Sequence, residues 1–376
     1  MAGRMVARYG GWRAALAAAC LLATSSLPAL AQKHLAPIPG PTLALMAARD
    51  TGPAAPILVR TYKKEAELEV WKQARGGRYV LLKTFPICRW SGQLGPKVRV
   101  GDRQAPEGFY AVALRQMNPN SAYHLSFDVG YPNAFDRQHG RTGSALMVHG
   151  TCSSAGCFAM TDRSVSEIYA LAREAFAGGQ GAFQVQAFPF RMSAGAMARH
   201  RQDPNIDFWR QLKAGSDRFE ATGREPIVKV AAGRYGFEPY RDPAQEAAAV
   251  ARLADEDARV ATLVAEGSAA VRTTYQDGGM HPTFAVLARH GAPLGEISRP
   301  ETLAFAGREV VVVAARPRPT MLPPARVRDP VARPTELSVF DFVSLGTVAP
   351  VGESLPGSTR ILPAAFGPLR LALASG

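Results

Sequence analysis

A chain of 376 residues with 47% hydrophobic and 20% charged residues holds one large domain with appendages, or two domains, and excludes wholesale disorder. Its formal charge of +13 falls to +10 once the three arginines of residues 1–31 are set aside, which suits an anionic partner such as cell-wall polymer or outer-membrane lipid. No nucleic-acid module and no interleaving of basic with aromatic residues accompanies that charge, so nucleic acid is not an expected partner.

The first segment reads as a signal peptide. Arg4, Arg8 and Arg13 form its basic leader, residues 14–23 a short apolar run, and Ala29-Leu30-Ala31 a cleavage site that would leave Gln32 at the mature start. A bilayer span needs about 20 apolar residues, and neither this run nor any later stretch supplies them. Acylation at Cys20, after Ala17-Ala18-Ala19, is the other reading of the segment. Both imply export, with the periplasm as the expected compartment.

Residues 32–55, rich in Ala and Pro, read as a linker. Strand signals follow at 57–62, 79–85, 109–115, 123–127, 145–148, 183–188 and 227–230, separated by Gly and Pro clusters. Many short strands with few long helices predict a mainly β catalytic domain with packed helices, an α+β fold, over residues 56–231. A helix is expected from Asp162 as cap, with Val165, Ile168, Tyr169, Ala172 and Phe176 as one apolar stripe and Gly178-Gly179 as its end. Further helices are expected around Phe208-Trp209 to Phe219 and from Pro243, after Asp242, to Glu266, the latter in a helical extension over 232–300. Residues 301–376 are expected as a Pro/Arg-rich, partly disordered tail, because 316–334 is too rich in Pro and Arg to bury a core.

The chemistry concentrates in His149-Gly150-Thr151-Cys152-Ser153-Ser154-Ala155-Gly156-Cys157, at the end of the apolar run 145–148. A thiol attacks carbonyls as the thiolate, and an unperturbed cysteine of pKa about 8.5 is only a few per cent ionised at pH 7. An adjacent imidazole can take that proton and hold the ion pair, so the pairing reads as a cysteine acyl-transfer site. Gly150, Ser154 and Gly156 would shape the turn. The N–H groups of Cys157 and Gly156 would then aim at the oxyanion, a contribution of about 3 kcal/mol per donor. The rival reading is zinc held by His149, Cys152 and Cys157 with Cys88 as fourth ligand; the glycines and Ser154 fit an oxyanion turn better, and no metal is expected.

Cysteine parity bears on the same residues. Cys88, Cys152 and Cys157 follow the cleavage site, an odd count that in an oxidising compartment predicts one disulfide and one free thiol. With Cys157 as nucleophile the bridge would be Cys88 to Cys152. A Cys152–Cys157 bridge, which would silence the thiol, and three unpaired thiols are the alternatives.

The His149-Gly150 and Ser154-Ala155-Gly156-Cys157 pieces resemble the active-site signature of the L,D-transpeptidase catalytic-domain (YkuD) family. The gap between the pieces is shorter than in most of that family, and Ala155 stands where many members carry a second histidine. Both departures resemble the branch typified by YafK. So do Ser91-Gly92-Gln93-Leu94-Gly95-Pro96-Lys97, the run from Gly101-Asp102-Arg103 to Tyr110, Asn118-Pro119-Asn120-Ser121, His124-Leu125-Ser126-Phe127 and Tyr131-Pro132-Asn133. The resemblance covers about residues 57–230 and rests on several blocks in order.

The resemblance implies that Cys157 is the nucleophile and His149 the proton acceptor and donor, acting on peptidoglycan stem peptides through a thioester that needs no cofactor. Cross-linking to a neighbouring stem is the implied reaction. The alternative is an amidase that releases an outer-membrane lipoprotein from diaminopimelate, and a non-catalytic wall-binding module is the distant third. Because such substrates carry diaminopimelate carboxylates, Arg141, just before the strand leading to His149, is a candidate to hold one in a bidentate fork, with His124 beside it. Ordinary surface or strand hydrogen bonding is the competing role for both.

Overall fold

The computed structural model describes Gly3 and residues 32–290 and 308–314; the expected signal peptide and most of the expected tail lie outside the described residues. The chain divides into units of residues 1–319 and 320–376, of which the second also lies outside them.

Residues 32–55 are not a linker. They form a 3-10 turn at Lys33–Leu35 and helix α1 at Gly40–Ala48, with Pro39 and Pro41 presetting the helical start. Thr42 and Met46, one turn apart on the same face, are its buried residues, and Met46 and Ile38 join the main core. The Thr42 hydroxyl donates to Glu167 at 2.5 Å. Composition suggests a linker because so few positions carry the packing.

Ten strands follow: β1 (Ile57–Tyr62), β2 (Glu67–Gln73), β3 (Tyr79–Pro86), β4 (Arg89–Trp90), β5 (Gly108–Ala113), β6 (Met117–Asn118), β7 (Ser126–Asp128), β8 (Met147–His149), β9 (Phe158–Ala159) and β10 (Ala182–Phe188). They sort into two five-stranded sheets, ordered β3-β2-β1-β10-β5 and β4-β9-β8-β7-β6. The fold is α+β, as the short, separated apolar runs predict. In the first sheet β1 is central and buried at every position, which its apolar run allows. The buried Arg60 within it is accommodated by an ion pair to Glu220 and by the Phe219 ring 4.8 Å from its guanidinium carbon. Phe127 of β7 and Phe183 of β10 meet edge to face between the sheets at 5.5 Å.

Helix α2 (Ala134–Gln138) is short. Helix α3 (Asp162–Ala177) leaves the second sheet just after β9 and packs against β1, β7 and β8, burying Val165, Ile168, Leu171 and Ala172. Its N-cap is Thr161 rather than Asp162: the Thr161 hydroxyl accepts from Ser164 N at 3.2 Å, and Asp162 turns to the loop before β9. Helices α4 (Ala194–Arg199) and α5 (Ile206–Thr222) follow.

The 231/232 boundary cuts a hairpin, because β11 (Val228–Ala231) pairs with β12 (Arg234–Phe237). Helix α6 (Pro243–Ala265), capped by Asp242, packs on α4 and α5. Lys213 of α5 bonds Asp217 at 2.7 Å and Glu256 of α6 at 3.0 Å, all three buried. The extension is thus continuous with the domain body, and it is not purely helical. Strand β13 (Ala270–Thr274) precedes α7 (Pro282–Arg289) and pairs with β14 (Arg308–Val313). Residues 308–313 fall inside the expected tail, yet four successive valines give them strong strand character. No helix among the described residues is long and apolar enough to cross a membrane.

Candidate active site

Strands β8 and β9 are adjacent and parallel, with Val148 opposite Phe158 and His149 opposite Ala159. A parallel connection usually takes a dozen or more residues. Here residues 150–157 must return the chain alone, and the backbone shows the cost: Thr151 (φ 65°), Cys152 (φ 39°) and Gly156 (φ 131°) are left-handed. Gly150 is required by close approach, since a Cβ there would collide with Asp162 Oδ1 and lie 2.9 Å from His124 Cβ. Thr151 N donates to Asp162 Oδ1 at 2.8 Å, and Cys152 is bridged to Cys88, their α-carbons 5.4 Å apart. These ties hold the strained loop in place.

The register carries Cys157 opposite Met147, whose N–H donates to its sulfur at 3.4 Å. Met147 and His149 share one face of β8, so Cys157 and His149 share it too. With strands about 4.8 Å apart and about 3.3 Å of rise per residue, their α-carbons lie about 8 Å apart, within side-chain reach. Both line one cleft of about 390 Å³. Nδ1 of the buried His149 lies 2.6 Å from the Gly150 carbonyl, and a carbonyl only accepts, so Nδ1 carries the proton and Nε2 is the free base. The Tyr123 ring, centroid 4.7 Å away, tilts against the imidazole.

Burial lowers the His149 pKa, against a smaller raising effect of the Gly150 hydrogen bond. Burial likewise pushes the Cys157 thiol up and the nearby Asp128 adds to this, with Met147 N–H and Lys97 opposing. Both shifts favour uncharged groups. The thiolate–imidazolium pair expected from adjacency is thus opposed by low-polarity surroundings, which sequence does not show and which penalise both charges.

The oxyanion assignment also changes. Ser154 Oγ accepts from Cys157 N at 3.1 Å and Gly156 N at 3.3 Å, and donates to Cys157 O at 2.7 Å. The two N–H groups expected to face the oxyanion are engaged by Ser154, whose role is to staple the turn. Ser91 Oγ, just after β4, packs 2.9 Å from Ser154 Oγ and donates its own proton to the Arg103 carbonyl at 2.7 Å. Among the described residues Cys157 is the free thiol, and a Cys88–Cys152 disulfide removes two of the four donors that the zinc reading requires.

Two expected substrate ligands lie elsewhere. Arg141 pairs with the buried Asp136 at 2.8 Å, its guanidinium 5.0 Å from the Phe135 ring centre and 5.2 Å from that of Phe208. It is not among the residues lining the cleft. Asp136 answers it because the turn that ends α2 brings Arg141 back onto it, Arg141 N donating to Asp136 O at 3.0 Å. His124 is outside the lining as well: its Nε2 is 2.8 Å from Ser166 Oγ and its Nδ1 3.5 Å from Asp162, tying the loop to α3. Lys97, Arg103 and Tyr123 line the cleft too, though the sequence gives none of them a site role. The first two sit inside the family-like blocks, which give a signal of position without a role. A larger cavity, about 810 Å³ between α4, α5 and α6, contains neither a cysteine nor a histidine.

Fold and cleft define a β-rich α+β protein that presents a thiol and an imidazole on one cleft beside two cations. No family model matches the chain. YafK of Escherichia coli (strain K12), which carries the provisional name of an L,D-transpeptidase, is 44% identical over 181 residues, 48% of this chain and 73% of that protein; YafK of Escherichia coli O157:H7 matches equally. The chain belongs to the YafK-like L,D-transpeptidase family. Among solved structures, the helical cell shape determining protein Pgp2 of Campylobacter jejuni overlaps with a TM-score of 0.29 at 15% identity, covering 62% of this chain and 80% of that one. Bd1075 of Bdellovibrio bacteriovorus overlaps at 0.26 and 16%, covering 58% and 75%. Scores of this size carry no functional argument.

Proposed function

We propose that this chain is a periplasmic cysteine acyltransferase that acts on peptidoglycan stem peptides through a thioester on Cys157. The observation that carries the reading is that Cys157 and His149 line one cleft, with Nδ1–H held by the Gly150 carbonyl so that Nε2 is the base. In the first half-reaction Nε2 takes the thiol proton as sulfur adds to the scissile carbonyl carbon. The tetrahedral adduct then collapses, the C–N bond breaks, and the imidazolium returns that proton to the leaving amine. In the second half-reaction an amine or water loses a proton to Nε2 while attacking the thioester, and sulfur departs as the thiol. Starting from neutral groups, charge separates only in the transition state, as in serine–histidine pairs. The positive charge of Lys97 near the sulfur favours the developing thiolate and oxyanion.

The acceptor decides the product: a stem amine gives a cross-link between stems, and water gives hydrolysis, including release of a lipoprotein attached at diaminopimelate. Purified protein incubated with sacculi, followed by mass-spectrometric identification of the soluble and enzymatically released fragments, tests the reading. New stem-to-stem dimers or released lipoprotein that disappear with Cys157→Ala support it and separate the two reactions. Products that persist with Cys157→Ala refute it.

A further inference from the structure

We propose that Arg103 is the carboxylate-binding residue of the Cys157 cleft, and that Asp277, in the bend after β13, is its positioning residue. This deepens the acyl-transfer reading and rests on it: the ligand class is a peptide with a free carboxylate near the scissile amide.

Arg103 lines the cleft with Cys157, and its backbone lies against the nucleophile's turn, since a Cβ on Gly156 would be 4.0 Å from Arg103 C. The residue is held at both ends. Its backbone is left-handed at φ 56°, and its carbonyl accepts from Ser91 Oγ at 2.7 Å. Nη2 donates to Asp277 Oδ2 at 2.6 Å and to the Ser154 carbonyl at 3.2 Å, while Nε donates to Asp277 Oδ1 at 3.3 Å. Those bonds use three of five guanidinium N–H groups, and the two on Nη1 have no partner among the described residues. A guanidinium fixed through Nε and Nη2, with Nη1 left to donate, can give a carboxylate a charge-assisted hydrogen bond.

Charge points the same way. Asp277 is shared by two guanidinium groups, with Arg89 Nη2 at 3.2 Å from the same oxygen, so the trio keeps one net positive charge. Burial works to raise the Asp277 pKa, but Arg103, Arg89 and Gly92 N–H hold it below its ordinary value, so it stays ionised. The bend carrying it is seated closely: a Cβ at Gly278 (φ 75°) would collide with the Trp90 carbonyl. Lys97, the other cation of the cleft, is 4% exposed and bonded to Asp102 at 2.5 Å and Arg99 O at 3.0 Å, whereas Arg103 is 43% exposed. Arg103 is the accessible cation.

The test uses the full chain carrying Cys157→Ala, titrated calorimetrically with a stem tetrapeptide whose diaminopimelate carboxylate is free and with its carboxamide. The free acid should bind about 10- to 100-fold more tightly, the difference a charge-assisted bond gives. Adding Arg103→Ala should abolish the preference, and Arg103→Lys should keep part of it. Asp277→Asn, which leaves the guanidinium present but unfixed, should reduce it. In the Cys157 enzyme, Arg103→Ala should raise KM for the acid and leave KM for the carboxamide unchanged. A preference that survives Arg103→Ala, or equal binding of the two peptides, overturns the assignment while leaving acyl transfer standing. Failure of either peptide to bind or react overturns both.

Discussion

A neutral resting pair, which burial of both groups favours, makes a definite statement about rate. An ordinary thiol of pKa about 8.5 is about 3% thiolate at pH 7, and each further pKa unit divides that fraction by about ten. Burial pushes Cys157 upward, so less than this share is ionised at rest. The assay is the pH dependence of Cys157 alkylation by iodoacetamide. Its rate should climb about tenfold per pH unit from about pH 6 to about pH 8.5 without a plateau, because reactivity follows the thiolate fraction. His149→Ala should change this slope little. A preformed thiolate–imidazolium pair would react at pH 7 about 30-fold or more faster than the neutral thiol, with a plateau from about pH 6. Such a plateau, lost in His149→Ala, would show a preformed ion pair instead. Turnover should differ from alkylation: the base must be uncharged, and burial lowers its pKa, so the acid limb of activity should have its midpoint below the ordinary histidine value of about 6.5.

The remaining predictions concern the scaffold. Replacing both Cys88 and Cys152 by Ala opens a loop of sequence separation 64; chain entropy gives a loss of about 4 kcal/mol, readable as a fall in Tm of about 8–16 °C. An unchanged Tm would show that the bridge contributes nothing. Ser154→Ala frees the two N–H groups and the Cys157 carbonyl that Ser154 engages; kcat should fall about tenfold or more, the cost of a small misplacement of the nucleophile, while thermal stability changes by no more than about 2 kcal/mol. His200 is buried against Phe190 with neither ring nitrogen hydrogen-bonded, and its pKa is lowered to about 4 by burial and by Lys64 and Arg199. The unfolded chain takes up this proton near pH 6.5 and the folded chain only near pH 4. The contribution is thus complete above about pH 6.5 and lost as pH falls, about 2 kcal/mol between pH ~7.5 and pH ~5. Urea unfolding of wild type and His200→Phe at those two pH values measures it; equal pH sensitivity in the two proteins would contradict the assignment.

How much of this is legible without coordinates differs by residue. Contiguous apolar runs such as 57–62 and 183–188 announce strands because both faces are buried, and α6 shows its cap and its stop in Asp242-Pro243 and Gly267. Strand β2 escapes the pattern: Glu67, Glu69 and Lys72 make it look solvated, yet Glu69 and Lys72 are buried through an ion pair to Arg191 and bonds to backbone carbonyls. Such partners are distant in sequence. Helix α1 is invisible for the opposite reason, since two packed positions do not make a period. At the site, local spacing delivers Cys157 and His149 because parallel neighbours eight residues apart carry them. Arg103 and Asp277, separated by 174 residues, meet only in the fold. Composition cannot distinguish an arginine that closes an internal pair, as Arg141 does with Asp136, from one that keeps a terminal nitrogen for a ligand.

The central claim is that the sulfur of Cys157 carries the acyl group. Acid quenching of the protein with a stem-peptide substrate, followed by intact-mass and peptide mass spectrometry, tests it most directly. One hydroxylamine-labile acyl adduct per chain is expected, on the peptide containing Cys157 and absent from Cys157→Ala. An adduct on another residue, or undiminished turnover by Cys157→Ala, would contradict it.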